Sequence, residues 1–134
     1  MSDRTTLHLN YAECDREAIE VDLGQPEDET VENCIVNGSF NGVDGGGSEE
    51  LGNIAALGLP CYGHYESGAE YCPGMVATCS NRFRDAVAGC VDGTIAIDFH
   101  LKTGRVVGLA QARRFARFYN KAVAAVEKRA KGAK

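Results

Sequence analysis

The chain has no apolar run approaching the roughly 18 residues that a membrane-spanning helix requires, so a spanning helix is not expected. Its opening, Met1-Ser2-Asp3-Arg4-Thr5-Thr6, lacks the apolar stretch of a secretory leader, which makes the cytoplasm the expected compartment. Positive charge is scarce early: residues 1–70 hold two Lys/Arg against fifteen Asp/Glu, a net of −13. No internal repeat and no linker-like stretch divides the 134 residues. A chain of this length is one domain with a real core, and residues 1–134 are read as a single α+β domain whose tail, 131–134, frays.

Residues 71–134 reverse the sign, with twelve Lys/Arg against four Asp/Glu, a net of +8. Such asymmetry predicts an acidic surface and a basic one. Either the two complement each other inside the fold, or the basic part meets an anionic partner.

Hydrophobic periodicity predicts the elements. Leu7, Leu9 and Tyr11 alternate with Thr6, His8 and Asn10, a half-buried strand. Ile19, Val21 and Leu23 repeat that period, and Val31 to Val36 reads as a third strand. Asn37 to Gly47 reads as a loop rich in Gly, Asn and Asp. Ser48 is a suitable N-cap for a short helix with Glu49 and Glu50 in its first turn and Gly58 and Pro60 at its end. Residues 60–74 read as an irregular loop. Val76, Cys79, Phe83, Val87 and Cys90 recur at helical spacing and predict a helix from Pro73 to about Gly89. Thr94 to Leu101, with Ile95, Ile97, Phe99 and Leu101 on one face, is the clearest strand. Lys102-Thr103-Gly104-Arg105 turns it back into a hairpin. A last helix over about Ala110–Arg129 sets an apolar arc (Ala112, Phe115, Tyr119, Ala122, Val123, Val126) opposite Arg113, Arg114, Arg117, Lys121, Lys128 and Lys131. The sum is a mainly antiparallel sheet with about three helices.

Six cysteines stand at 14, 34, 61, 72, 79 and 90. Without a leader, reduced thiols or a metal suit them better than disulfides; Cys14 and Cys34 would pair only if their strands are neighbours in an oxidising compartment. Cys61-x2-His64 followed by Cys72 and Cys79 supplies four ligands of the kinds zinc takes, although Cys79 also fits a buried helix face. Cys61, Cys72, Cys79 and Cys90 match none of the usual iron–sulfur spacings. His64-x-Glu66 begins like a zinc deaminase motif, but Cys72-Pro73-Gly74-Met75 lacks its second half.

Cys61 beside His64 is the one sequence-local thiol–base pair. Asp98 and His100 share one strand face, and His8 would join them if its strand lay alongside. The glycine loop 42–47 has no P-loop lysine, and Asp44, Glu49 and Glu50 would repel phosphate. No catalytic set emerges. The expectation is therefore a small binding protein, more an interaction module than an enzyme, meeting an anionic protein surface or nucleic acid through Arg113, Arg114, Arg117 and Lys121. Membrane binding is not expected, since the apolar arc is needed for the core. The alternatives are a thiol or zinc site at Cys61, His64, Cys72 and Cys79, and a structural assembly subunit.

Overall fold

The computed structural model describes residues 4–66 and 72–132. Strand β1 (Arg4–Ala12) leads through a 3-10 turn, Glu13–Asp15, into helix α1 (Arg16–Leu23). Then follow β2 (Asp28–Glu32), β3 (Ile35–Asp44), α2 (Ser48–Ala56), β4 (Cys61–Tyr65), β5 (Gly74–Cys79), β6 (Arg82–Val87), a small hairpin of β7 (Asp98–His100) and β8 (Arg105–Val107), and α3 (Leu109–Gly132). Six strands form one antiparallel sheet in the order β2-β3-β1-β4-β5-β6, while β7 and β8 pair only with each other. The α+β class, the antiparallel sheet and a count of three helices agree with the sequence reading, but only α2 and α3 are the helices predicted.

Each face of the sheet follows from side-chain alternation. Leu7, Leu9 and Tyr11 of β1, Val36 and Phe40 of β3, Cys61 of β4 and Val76 of β5 share one face. They are buried with Ile19 of α1 and with Leu51 and Ile54 of α2 as the main core. The opposite face is covered over β4, β5 and β6 by α3, whose Phe115, Ala122, Val126 and Ala130 are buried. Tyr62 of β4 meets Tyr119 of α3 edge-on, with ring centroids 5.6 Å apart. Asp15, almost fully buried, accepts two hydrogen bonds from Arg129, one of them from Nε at 2.6 Å, and fixes the far end of α3 to the sheet.

β1 and β4 approach so closely that a Cβ on Gly63 would stand 1.9 Å from the His8 carbonyl oxygen; only glycine fits there.

Several predicted elements take another form. Residues 18–23 are the helix α1, not a strand: Ile19 is buried while Val21 is 82% exposed, and Ile19 and Leu23 stand one turn apart. Residues 31–36 are broken by a two-residue turn, Asn33-Cys34, with φ of 54° and 64° at the two positions, the geometry that joins tightly coupled strands. Most of the supposed glycine loop is β3, and the 60–74 loop contains β4. In β3 one extra residue at Asn41-Gly42 forms a bulge, so that Phe40 pairs with Leu7 and Val43 with Thr5.

The helix predicted over 73–89 is instead the hairpin β5–β6, turning at Ser80-Asn81, again with both φ values positive. Folding back places Val76, Phe83 and Val87 on one sheet face, and this reproduces helical spacing in the sequence.

The short helix at 48–56 is as predicted and buries Leu51, Ile54 and Ala55. Its cap is Gly47 at φ 81°, which has no side chain to make a capping bond, and Ser48 is already helical. The final helix runs one residue earlier and three later than predicted, so Lys131 and Gly132 belong to it, while residues 133–134 lie outside the described ones. No helix among the described residues is long and apolar enough to cross a membrane.

Candidate functional site

α3 leaves the β1–β3 side of its sheet face carrying polar side chains. Alternation places Thr6, His8 and Asn10 of β1 beside Asn37, Ser39 and Asn41 of β3, with Tyr62 and His64 of β4 on the other flank. These groups satisfy one another. Thr6 donates to Asn41 Oδ1 at 3.0 Å, and Asn37 donates to Asn10 Oδ1 at 2.8 Å. His8 Nδ1 lies 2.9 Å from Ser39 Oγ and His8 Nε2 lies 2.5 Å from Glu66 Oε2. Glu66 is anchored in turn, its carbonyl accepting from Thr5 Oγ1 at 2.6 Å and its N–H donating to Thr6 at 3.0 Å. The His8 and His64 rings stack at 4.8 Å. Burial and the neighbouring His8 push the pKa of His64 below its ordinary value, against the pull of Asp92 and Glu66.

Serine, imidazole and carboxylate therefore stand in line. With the Nε2 proton directed at Glu66, Nδ1 accepts the Ser39 hydroxyl, the polarity that activates a nucleophile. Acyl transfer also needs donors aimed at the developing oxyanion. Ser39 sits mid-strand with β1 paired on one side and β2 on the other, so the N–H groups around it serve the ladders. Among the described residues the arrangement orders a polar surface.

This grouping corrects the expectation that His8 would join Asp98 and His100 if their strands were neighbours: β1 pairs with β3 and β4, whereas β7 pairs only with β8. His100 Nδ1 instead accepts the Thr103 N–H at 3.3 Å within its own turn. The sequence did hold a signal for the true cluster, in the polar members of two alternating runs, 6-8-10 and 37-39-41; the second was hidden by reading β3 as a loop.

The four proposed metal ligands are not brought together. Cys61 faces the main core and His64 the opposite side of the same strand; Cys79 lies on β5 and Cys72 is exposed just before it. Among the described residues no three His, Cys, Asp or Glu side chains group closely enough to hold a metal ion. The Cys61 thiol shares a hydrogen bond with Thr78 at 3.0 Å, and burial pushes its pKa up to about 12, so it is not a ready thiolate. All six cysteines are unpaired thiols.

The basic residues are placed differently. Arg113, Arg114, Arg117 and Lys121 are all exposed on α3, and none forms an ion pair among the described residues. Among the described residues, Arg129 alone ties the helix to an acid of the first half by an ion pair. Arg114 borders a cavity of about 330 Å³ between α3 and β6, lined also by Phe83, Arg84, Asp85, Gln111 and Phe115. Arg84 stacks over Phe118, 5.3 Å from the ring centre, and extends the cationic surface onto β6.

The predicted hairpin forms in shortened form, since only Asp98–His100 of the predicted strand Thr94–Leu101 is strand, and beyond the half-buried Ile95 its apolar residues are exposed. Phe99 is 62% exposed and Leu101 91%. Eight of the eleven exposed large apolar residues among the described ones fall between Val87 and Leu109. They form an apolar arm that leads directly into the basic helix. The sequence disclosed three of these residues, Ile97, Phe99 and Leu101, as one face of a strand. No known protein family matches the chain, and no curated protein or solved structure is similar to it.

Proposed function

We propose that this chain is a small interaction protein that binds an anionic protein surface through the basic face of α3 and the apolar arm beside it. The observation that carries the reading is the concentration of exposed apolar side chains in residues 87–109, at the base of a helix whose Arg113, Arg114, Arg117 and Lys121 have no internal partner among the described residues. An apolar patch of this kind on a small domain marks an interaction site. Arg113 and Arg114 also lie near the start of α3, which has no acid in its first turn, although the helix dipole there favours negative charge. Their placement suits a partner rather than the helix itself.

A protein partner fits better than nucleic acid, because protein–DNA interfaces are polar and strongly cationic, whereas this surface joins cations to exposed Phe, Leu, Ile and Val side chains. The test is fluorescence anisotropy with two labelled probes, a polyglutamate peptide and a DNA duplex of arbitrary sequence. The variant R113Q/R114Q/R117Q/K121Q is expected to lose peptide binding while keeping its circular dichroism spectrum and Tm. Binding of the duplex alone moves the reading to nucleic acid. Undiminished peptide binding by the variant overturns the role of α3.

A further inference from the structure

We propose that the arm's partner is a second copy of this chain, engaged head to tail, with the β7–β8 arm of one copy seated on the acidic α1–β2 end of the next. This rests on reading the arm and α3 as an interaction surface, and it names the occupant.

Two features of the fold supply the fit. At one edge of the sheet stands β2, whose outer side has no strand neighbour among the described residues and whose residues Asp28, Glu29, Thr30, Val31 and Glu32 are all exposed. Between β2 and α1 lies a cavity of about 480 Å³ lined by Glu17, Glu20, Glu27, Asp28 and Glu29 with Arg16, Gln25 and Pro26. Two of the three exposed apolar residues outside the arm region, Val21 and Val31, are also on this end. At the opposite edge the arm starts alongside the end of β6, where Ile95 bridges Ala88, and carries Lys102 and Arg105; the basic start of α3 borders β6 at Arg114. One end is acidic with some apolar surface, and the other is basic with much of it.

The signs select the geometry. Contact of β2 with its own counterpart would oppose carboxylate rows, and arm against arm, where Asp92 and Asp98 balance Lys102 and Arg105, would bring together the adjoining cations Arg113, Arg114 and Arg117 of α3. Only unlike ends attract. An isolated two-stranded ribbon is marginal in water, and an open sheet edge accepts an added strand through its unpaired backbone groups. The acids on β2 discourage pairing with its own kind while suiting a strand that carries Arg105.

The β2 and β6 edges are separated by five strand spacings, roughly 24 Å. One two-fold axis therefore does not easily satisfy both ends, and a contact between unlike surfaces continues into a ring or filament.

Sedimentation velocity on the full chain over a wide concentration range tests this. The mass is expected to grow beyond two copies with concentration and to fall at high salt. Phe99→Ser/Leu101→Ser and Asp28→Lys/Glu32→Lys should each stay monomeric, with unchanged circular dichroism spectra. Mixed in equal amounts, they should form a two-chain species and nothing larger, because each keeps one intact end. The single variant Leu101→Ser, which alters only the most exposed side chain, should weaken association in the same direction if the double variant misfolds. A wild-type chain that stays monomeric, a dimer that never grows, or a mixture that stays monomeric overturns the proposal. A monomeric wild type that still binds polyglutamate through α3 removes self-association and leaves the proposed function standing; loss of both removes both.

Discussion

Ten of the eleven residues in the main core come from Leu7 to Cys61, and only Val76 comes from later in the chain. The exposed large apolar residues divide the other way, three before residue 66 and eight after residue 72. The first half buries its apolar side chains between the sheet and two short helices. The second half completes the sheet with one hairpin, lays α3 over it, and leaves the arm bare. The net charges follow the same division. Substitutions in the first half should therefore act on stability, and those in the arm on association.

The largest expected effect is Leu9→Ala, where a fully buried side chain at the centre of β1 is cut back. It should cost about 4 kcal/mol, read from denaturant unfolding. Next is Arg129→Ala, which leaves the buried Asp15 carboxylate without its partner. The expected loss is about 3 kcal/mol, toward the low end for a broken buried pair because the Arg129 side chain is partly exposed. This substitution probes the one ion pair among the described residues that ties the basic helix to the acidic half.

A smaller effect concerns pH. His64 is held below its ordinary pKa by burial and by His8, so the unfolded chain takes up that proton more readily than the folded one. Its contribution is complete above the unfolded value and is lost as pH falls below it. Melting curves between about pH 7.5 and about pH 5.5 should drop more steeply for the wild type than for His64→Gln. The smallest effect on stability belongs to Phe99→Ser and Leu101→Ser, each within about 0.5 kcal/mol of wild type. A large loss at either position would mean that the arm folds onto its own domain, and the contrast between the halves would fail.

How much was legible in the sequence follows the same physics. β1, α2, the arm's hairpin and α3 were readable because their apolar residues keep one period and end at recognisable turns. α1 was lost because Ile19, Val21 and Leu23 satisfy a period of two as well as a helical turn, and only burial separates the readings. β3 was lost because its outward side chains, Asn37, Ser39 and Asn41, look like loop residues when read without the partner strand. The turns Asn33-Cys34 and Ser80-Asn81 adopt positive φ without glycine, so the signal that marks such hairpins was missing. The basic residues of α3 were found, since charge at helical spacing needs no tertiary knowledge. The His8, Ser39 and Glu66 grouping was not, because its members lie on different segments that only strand register joins.

The Asp15–Arg129 clamp has a mechanical consequence. The arm joins α3 at its first turn, while the clamp grips the helix near its last. Any load that a partner places on the arm therefore runs along the helix as along a strut and ends at the 3-10 turn after β1, in the most deeply packed half of the molecule. With the clamp intact the helix resists as one piece; with Arg129 replaced it is free to peel from its far end, and the arm would hold its partner on a hinge.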